Sequence, residues 1–145
     1  MANGITARID GGSPKLDFAK LLLRVVLGLL ILAHGIGKIK TGPGMIVDLV
    51  VQHHLPAFVG YLVYIGEVVA PALLIVGFFT RAAAAIIVIN MIFAVLLAHA
   101  GELFSMEKSG GYALELQALY LVTAIVVALI GAGRYSIGGL YGRWN

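Results

Sequence analysis

Seven side chains in this 145-residue chain place a titratable or hydrogen-bonding group inside an apolar run: His34, Lys38, Glu67, His99, Glu115, Gln117 and Tyr120. Glu67 poses the sharpest problem. It stands near the middle of GYLVYIGEVVAPALLIVGFFTR (60–81), and Pro71 follows it by four positions. If that run crosses a membrane, an ionised carboxylate at its centre costs about 3 kcal/mol on insertion scales. The group must then be protonated, paired or in contact with water. Pro71 has no N–H to give the Glu67 carbonyl, and its ring crowds that oxygen. Such breaks are tolerated in a bilayer where the freed groups face protein or a polar cavity. Glu67 and Pro71 together therefore predict a cavity. Its working residues would be Glu67 and His34 as proton-handling groups. Lys38, His99, Glu115, Gln117 and Tyr120 would supply hydrogen bonds to a bound molecule.

These residues need elements to hold them, and the composition says which. The chain is 61% hydrophobic and 12% charged, with a mean hydropathy of +1.02, whereas soluble domains carry about 25% charged residues. That is a membrane composition, and the length suits one domain. A helix needs roughly 20 apolar residues to cross the hydrocarbon layer, and stretches 18–39, 58–79, 82–100 and 113–133 qualify. The expected fold is all-α, a transmembrane four-helix bundle in a single domain over 1–145. The polar lead-in before the first span includes Gly4, Gly11, Gly12, Ser13 and Pro14. The first apolar run lacks a small-residue cleavage site and is too long for a signal peptide. Thr80 and Arg81 alone separate the second and third spans, which must form an antiparallel hairpin.

Lysine and arginine counts near span ends set the orientation. Arg8, Lys15, Lys20, Arg24, Arg81, Arg134 and Arg143 fall on one side, against Lys38, Lys40 and Lys108 on the other. Both termini are expected in the cytoplasm. The first outer loop contains GMIVDLVVQHHLP (44–56), which puts Met45, Ile46, Leu49 and Val50 on one stripe with Asp48 and Gln52 opposite. A short helix lying in the interface fits that pattern, and Pro56 suits the start of the next helix. Tyr135, Tyr141 and Trp144 suit an aromatic belt at the cytoplasmic surface. Gly66 and Ala70, and likewise Ala124, Ala128 and Ala132, recur at spacings that let helices approach closely in lipid.

Counting about 1.5 Å per residue from the cytoplasmic ends, Glu67 lies about 18 Å up, with His34 and Tyr120 both at about 20 Å. Gln117 at about 24 Å, Lys38 and His99 at about 25 Å and Glu115 at about 27 Å form a second layer on the same scale. His34 and Lys38, four apart, share a face of the first helix. A polar seam from mid-membrane to the outer surface follows if these faces point inward. The remaining polar residues have plainer roles. Arg24, about one turn from the cytoplasmic edge, can snorkel there as an anchor. Asn90 suits an interhelical hydrogen bond. Pro71 and Arg81 are structural, one breaking a helix and the other marking a turn.

Several chemistries are excluded or disfavoured. The chain has no cysteine, which removes thiol relays and thiolate-held metals. His34, His53, His54 and His99 show neither haem-attachment nor zinc spacing, so neither metal nor haem is expected. GIGKIKTGPG (35–44) lacks phosphate-loop spacing, and no nucleophilic triad or dinucleotide fingerprint is present. The net charge of +3 without a basic cluster reflects topology rather than nucleic acid.

The segments RVVLGLLILAHGIGKI (24–39), GEVVAPALLIVGFFTRAAA (66–84), HAGELF (99–104) and GAGRYSIGGL (131–140) resemble the DoxX family of small bacterial membrane proteins, over most of 18–140. The resemblance implies a four-helix protein of the bacterial inner membrane. The family is named for a subunit associated with a terminal quinol oxidase, and relatives are linked to thiosulfate:quinone oxidoreduction and to membrane complexes handling oxidative stress. Arg24, His34, Lys38, Glu67, Arg81 and Glu115 match the family's polar pattern, whereas Gly138 stands where an acidic residue commonly follows the GRYS stretch.

The leading expectation is a subunit that binds a quinone or another lipophilic redox molecule and serves a partner oxidoreductase, which must supply the electron. A proton-coupled transporter or channel-like protein is the alternative, since a broken helix with a carboxylate is how coupling sites are built. Four spans would then need a homo-oligomer. A non-catalytic membrane scaffold for a partner protein is the third.

Overall fold

The computed structural model describes residues 13–108, 110–139, 142, 144 and 145. Arg8, Tyr141 and Arg143, and the lead-in through Gly12, lie outside the described residues. The described chain is helical: α1 (Pro14–Thr41), α2 (Gly44–Gln52), α3 (Phe58–Val76), α4 (Thr80–Ala98) and α5 (Glu115–Ile130). A single 3-10 turn, Ala100–Glu102, follows α4. The four longer helices pack in cyclic order, α1 on α3, α3 on α4, α4 on α5 and α5 on α1. α3 and α4, 19 residues each, are long and apolar enough to cross a membrane. α5 is shorter, at 16 residues, and α1 carries several charges along its 28 residues.

Local chemistry explains the element ends. Pro14 opens α1, where its missing N–H costs nothing, and Gly131 with φ 71° stops α5. The run expected to span 58–79 is helical only to Val76. Gly77 takes the left-handed conformation (φ 73°) and returns its N–H to Leu73, and Phe78 does the same. α2 forms where the apolar stripe predicted it. It lies against the start of α3 and against α4, and Gly60 permits this, since a Cβ there would sit 3.0 Å from the Val47 backbone.

The core lies between the four longer helices. Leu27 and Ile31 of α1, Ala70 and Leu74 of α3, Ala84 and Ile87 of α4, and Ala124 and Val127 of α5 are all buried. The small residues at four-residue spacing fall on this seam, as backbone approach in lipid requires.

Arg24 departs from the snorkelling expectation. It is 1% exposed, and its guanidinium donates to the carbonyls of Leu74 (2.7 Å), Ile75 (2.6 Å) and also Tyr135. A helix ends with carbonyls that have no partner in the helix, and a bilayer offers no water to satisfy them. At the end of α3 they are all served. Leu73 accepts from Gly77 and Phe78, Leu74 and Ile75 from Arg24, and Val76 from the Ile137 N–H. The negative end of the helix dipole meets the cation. The tail after α5 is thus part of the α3 cap, and the buried Asp17 holds it from α1 through an ion pair with Arg134 (3.5 Å). Asn145 joins the same end, accepting from the Thr80 hydroxyl (2.8 Å) and donating to the carbonyl of Gly139 (2.6 Å).

Candidate functional site: an apolar pocket lined by an ion pair

Glu67 lies within a π-helical turn, Ile65–Val69, just before Pro71. The Ala70 N–H reaches back five residues to the Ile65 carbonyl. This is how the chain absorbs the proline: one residue is squeezed into the turn, as in the bulges that recur at functional sites. The turn also swings Glu67 inward, leaving it 3% exposed. Gly35 of α1 meets the turn at its closest point. A Cβ at Gly35 would lie 2.2 Å from the Glu67 carbonyl oxygen, the oxygen Pro71 cannot serve.

That approach brings three polar side chains together. Lys38 Nζ contacts Glu67 Oε1 at 2.5 Å, and Asn90 Nδ2 of α4 donates to the same oxygen at 3.3 Å. Glu67 Oε2 is buried and has no hydrogen-bond partner among the described residues. Asn90 in turn lies against Gly66, where a Cβ would meet its Cγ at 2.4 Å. The Tyr64 hydroxyl donates to the Lys38 carbonyl (3.3 Å) and fixes the end of α1.

The triad lines a cavity of about 510 Å³ between α2, α3 and α4. Its walls are apolar, with Ile46 and Leu49 from α2, Leu62 and Val63 from α3, and Phe93 and Leu97 from α4. Typical small-molecule sites run about 300–1,000 Å³, mostly apolar with a few placed polar groups, and this one matches. His99 also lines the cavity, with Nδ1 2.8 Å from Glu102 Oε2. His53 fastens the cover, its Nε2 lying 3.1 Å from the Leu97 carbonyl.

The seven sequence candidates therefore divide into two groups. Lys38, Glu67 and His99 line the cavity together with Asn90. His34 does not join them. It is exposed on the side of α1 turned toward α5, with its ring edge-on to Tyr120 at 6.1 Å between centroids. Gln117, half-buried, and Glu115, exposed in the first turn of α5, lie on that helix as well, and among the described residues α5 adds nothing to the cavity wall. The single seam does not form, because height along a helix says nothing about azimuth. Gly35, not His34, is the residue of α1 that faces Glu67, and Lys38 shares its face at i+3. Glycine inside an otherwise apolar helix was the available signal. Arg81 lies elsewhere, lining a second, open cavity of about 820 Å³ with Ala82, Ala85, Ala128 and Trp144.

Gly35→Ala is expected to cost about 1–3 kcal/mol, because backbone must move to admit the methyl group. Gly37→Ala, where nothing lies within 4 Å, is expected to be neutral or to stabilise by up to about 1 kcal/mol. Unfolding of both variants side by side in detergent micelles checks the contrast.

The described residues are helical, with two helices long and apolar enough to cross a membrane, and an apolar cavity among them carries the Lys38–Glu67 ion pair. The DoxX family model matches residues 19–100, more than half of the chain, and the chain belongs to the DoxX family. The match spans every residue that lines the cavity and stops before α5. No curated protein matches the chain, nor does any solved structure.

Proposed function

We propose that this membrane protein binds a quinone or a comparable lipophilic redox molecule in the α2–α3–α4 cavity and serves a partner oxidoreductase. The carrying observation is the combination of an apolar cavity of about 510 Å³ with Lys38, Glu67 and Asn90 in its lining. The apolar walls suit an isoprenoid-like tail. Lys38 and Asn90 supply donors for a ring oxygen, and Lys38 and Glu67 are groups through which a proton can pass. His99 adds an imidazole to the same lining, paired with Glu102. In this reading the electrons are supplied by the partner, and with no cysteine in the chain no thiol relay takes part. The ends of α1 and α5 near Asp17 and Arg134 face the cytoplasm of a bacterial cell in this reading, as the arginine and lysine bias favours.

Binding is favoured over passage by what lies beneath the triad. Leu27, Ile31, Leu74 and Ile87 form a buried apolar layer between Glu67 and the Arg24 end, with no polar side chain among them to carry a solute or proton onward.

The test is a chemical inventory of protein purified in mild detergent. Extraction and mass spectrometry should find a ring-bearing isoprenoid near one per chain, and Glu67→Gln should lower its occupancy at least about fivefold. Bulk lipid alone in both proteins would sink the proposal.

A further inference from the structure

Glu67 accepts two hydrogen bonds on one oxygen and none on the other. Oε1 takes both Lys38 and Asn90, while Oε2 is closed off from solvent without a partner among the described residues. A buried acceptor left bare is costly, and Glu67 lines the cavity. From this asymmetry we infer that the cavity selects a headgroup carrying a hydroxyl, so that a lipid hydroquinone or phenol binds in preference to the corresponding quinone. The inference rests on the proposed binding function and specifies its ligand.

A carboxylate turns easily about its terminal bond, whose rotational profile is broad. Such a turn is what brings Oε2 to a headgroup held at Lys38 and Asn90, which hold Oε1 in the structure. A hydroxyl satisfies both demands with one atom, since it donates once and accepts twice. Its O–H goes to Glu67 and its lone pairs face Lys38 or Asn90. A quinone carbonyl only accepts. It would set lone pairs against the carboxylate and leave Oε2 bare. The expected preference for the reduced form is about tenfold, the scale set by one unpaired buried polar group. For a two-electron couple, tenfold corresponds to about 30 mV, so bound ligand is easier to reduce than free ligand. A partner delivering electrons to the site would gain from that shift.

The experiment measures equilibrium binding of three short-tailed probes to purified protein under anaerobic conditions: a decyl-hydroquinone, the matching decyl-quinone and the hydroquinone dimethyl ether. The expected order is hydroquinone tightest by about tenfold, with quinone and ether similar. Glu67→Gln should erase the preference, because an amide offers a donor as well as an acceptor. Asn90→Leu should weaken both redox forms alike and keep the preference, which guards against a general loss of structure. Quinone binding as tightly as hydroquinone to the wild type overturns the inference and leaves the binding site standing. Failure of all three probes to bind removes both.

Discussion

Lys38→Met is expected to destabilise the protein by about 2–4 kcal/mol. Removing one partner of a buried ion pair costs about 3–5 kcal/mol, because the other charge is left uncompensated. The Lys38 side chain is 34% exposed whereas that of Glu67 is only 4% exposed, so solvent screening lowers the figure. The informative comparison is the double variant. Lys38→Met with Glu67→Gln removes both charges, and replacing a buried pair by groups of similar volume is often near neutral. The double variant should therefore be at least about 1.5 kcal/mol more stable than Lys38→Met alone, a coupling of the size contacting residues show. Strictly additive losses in a double-mutant cycle, read from unfolding in mixed micelles, would mean that the two side chains do not interact.

The second large effect belongs to Arg24. Arg24→Met should cost at least about 3 kcal/mol, since three charge-assisted bonds at about 1.5–3 kcal/mol each are lost, with incomplete additivity. The carbonyls of Leu74, Ile75 and Tyr135 would lose their donor, and a buried acceptor left without one is costly. Arg24→Lys should recover only part of this, because an ammonium lacks the planar fork that spans separate acceptors. A loss below about 1 kcal/mol for Arg24→Met, measured in the same micelles, would show that the guanidinium is a surface anchor after all.

These two residues mark where sequence reasoning succeeded and where it stopped. Glu67 with Pro71 announces a disturbed turn and a cavity, because a carboxylate and a missing N–H are both expensive in an apolar run, although the helix bulges there and runs on to Val76 rather than breaking. The apolar stripe Met45, Ile46, Leu49 and Val50 announces α2, which forms there, and the small residues announce the bundle seam. What could not be read was azimuth. A rise per residue gives heights, so His34 and Glu67 fall at one level, yet the close contact with Glu67 is made one position later, by Gly35. Arg24 was illegible for another reason. Its partners are the end of α3 and the tail at Tyr135, 50 to 111 residues away, and nothing local says that the tail returns to cap that helix. Asn90 was legible as an interhelical donor, while its place on the cavity wall depended on the packing of Gly66.

The central claim is that a lipophilic ring sits between α2, α3 and α4 with its head at Lys38, Glu67 and Asn90. The most direct measurement is photolabelling of the protein in native membranes with a quinone carrying a diazirine on its ring, followed by peptide mass spectrometry. The account predicts labels on Val63, Gly66 and Phe93, which line the cavity beside Glu67 and Asn90, lost when excess unlabelled quinone is added and reduced in Asn90→Leu. Labels on α5 or around Arg81 and Trp144, or labels that excess quinone does not displace, would contradict it.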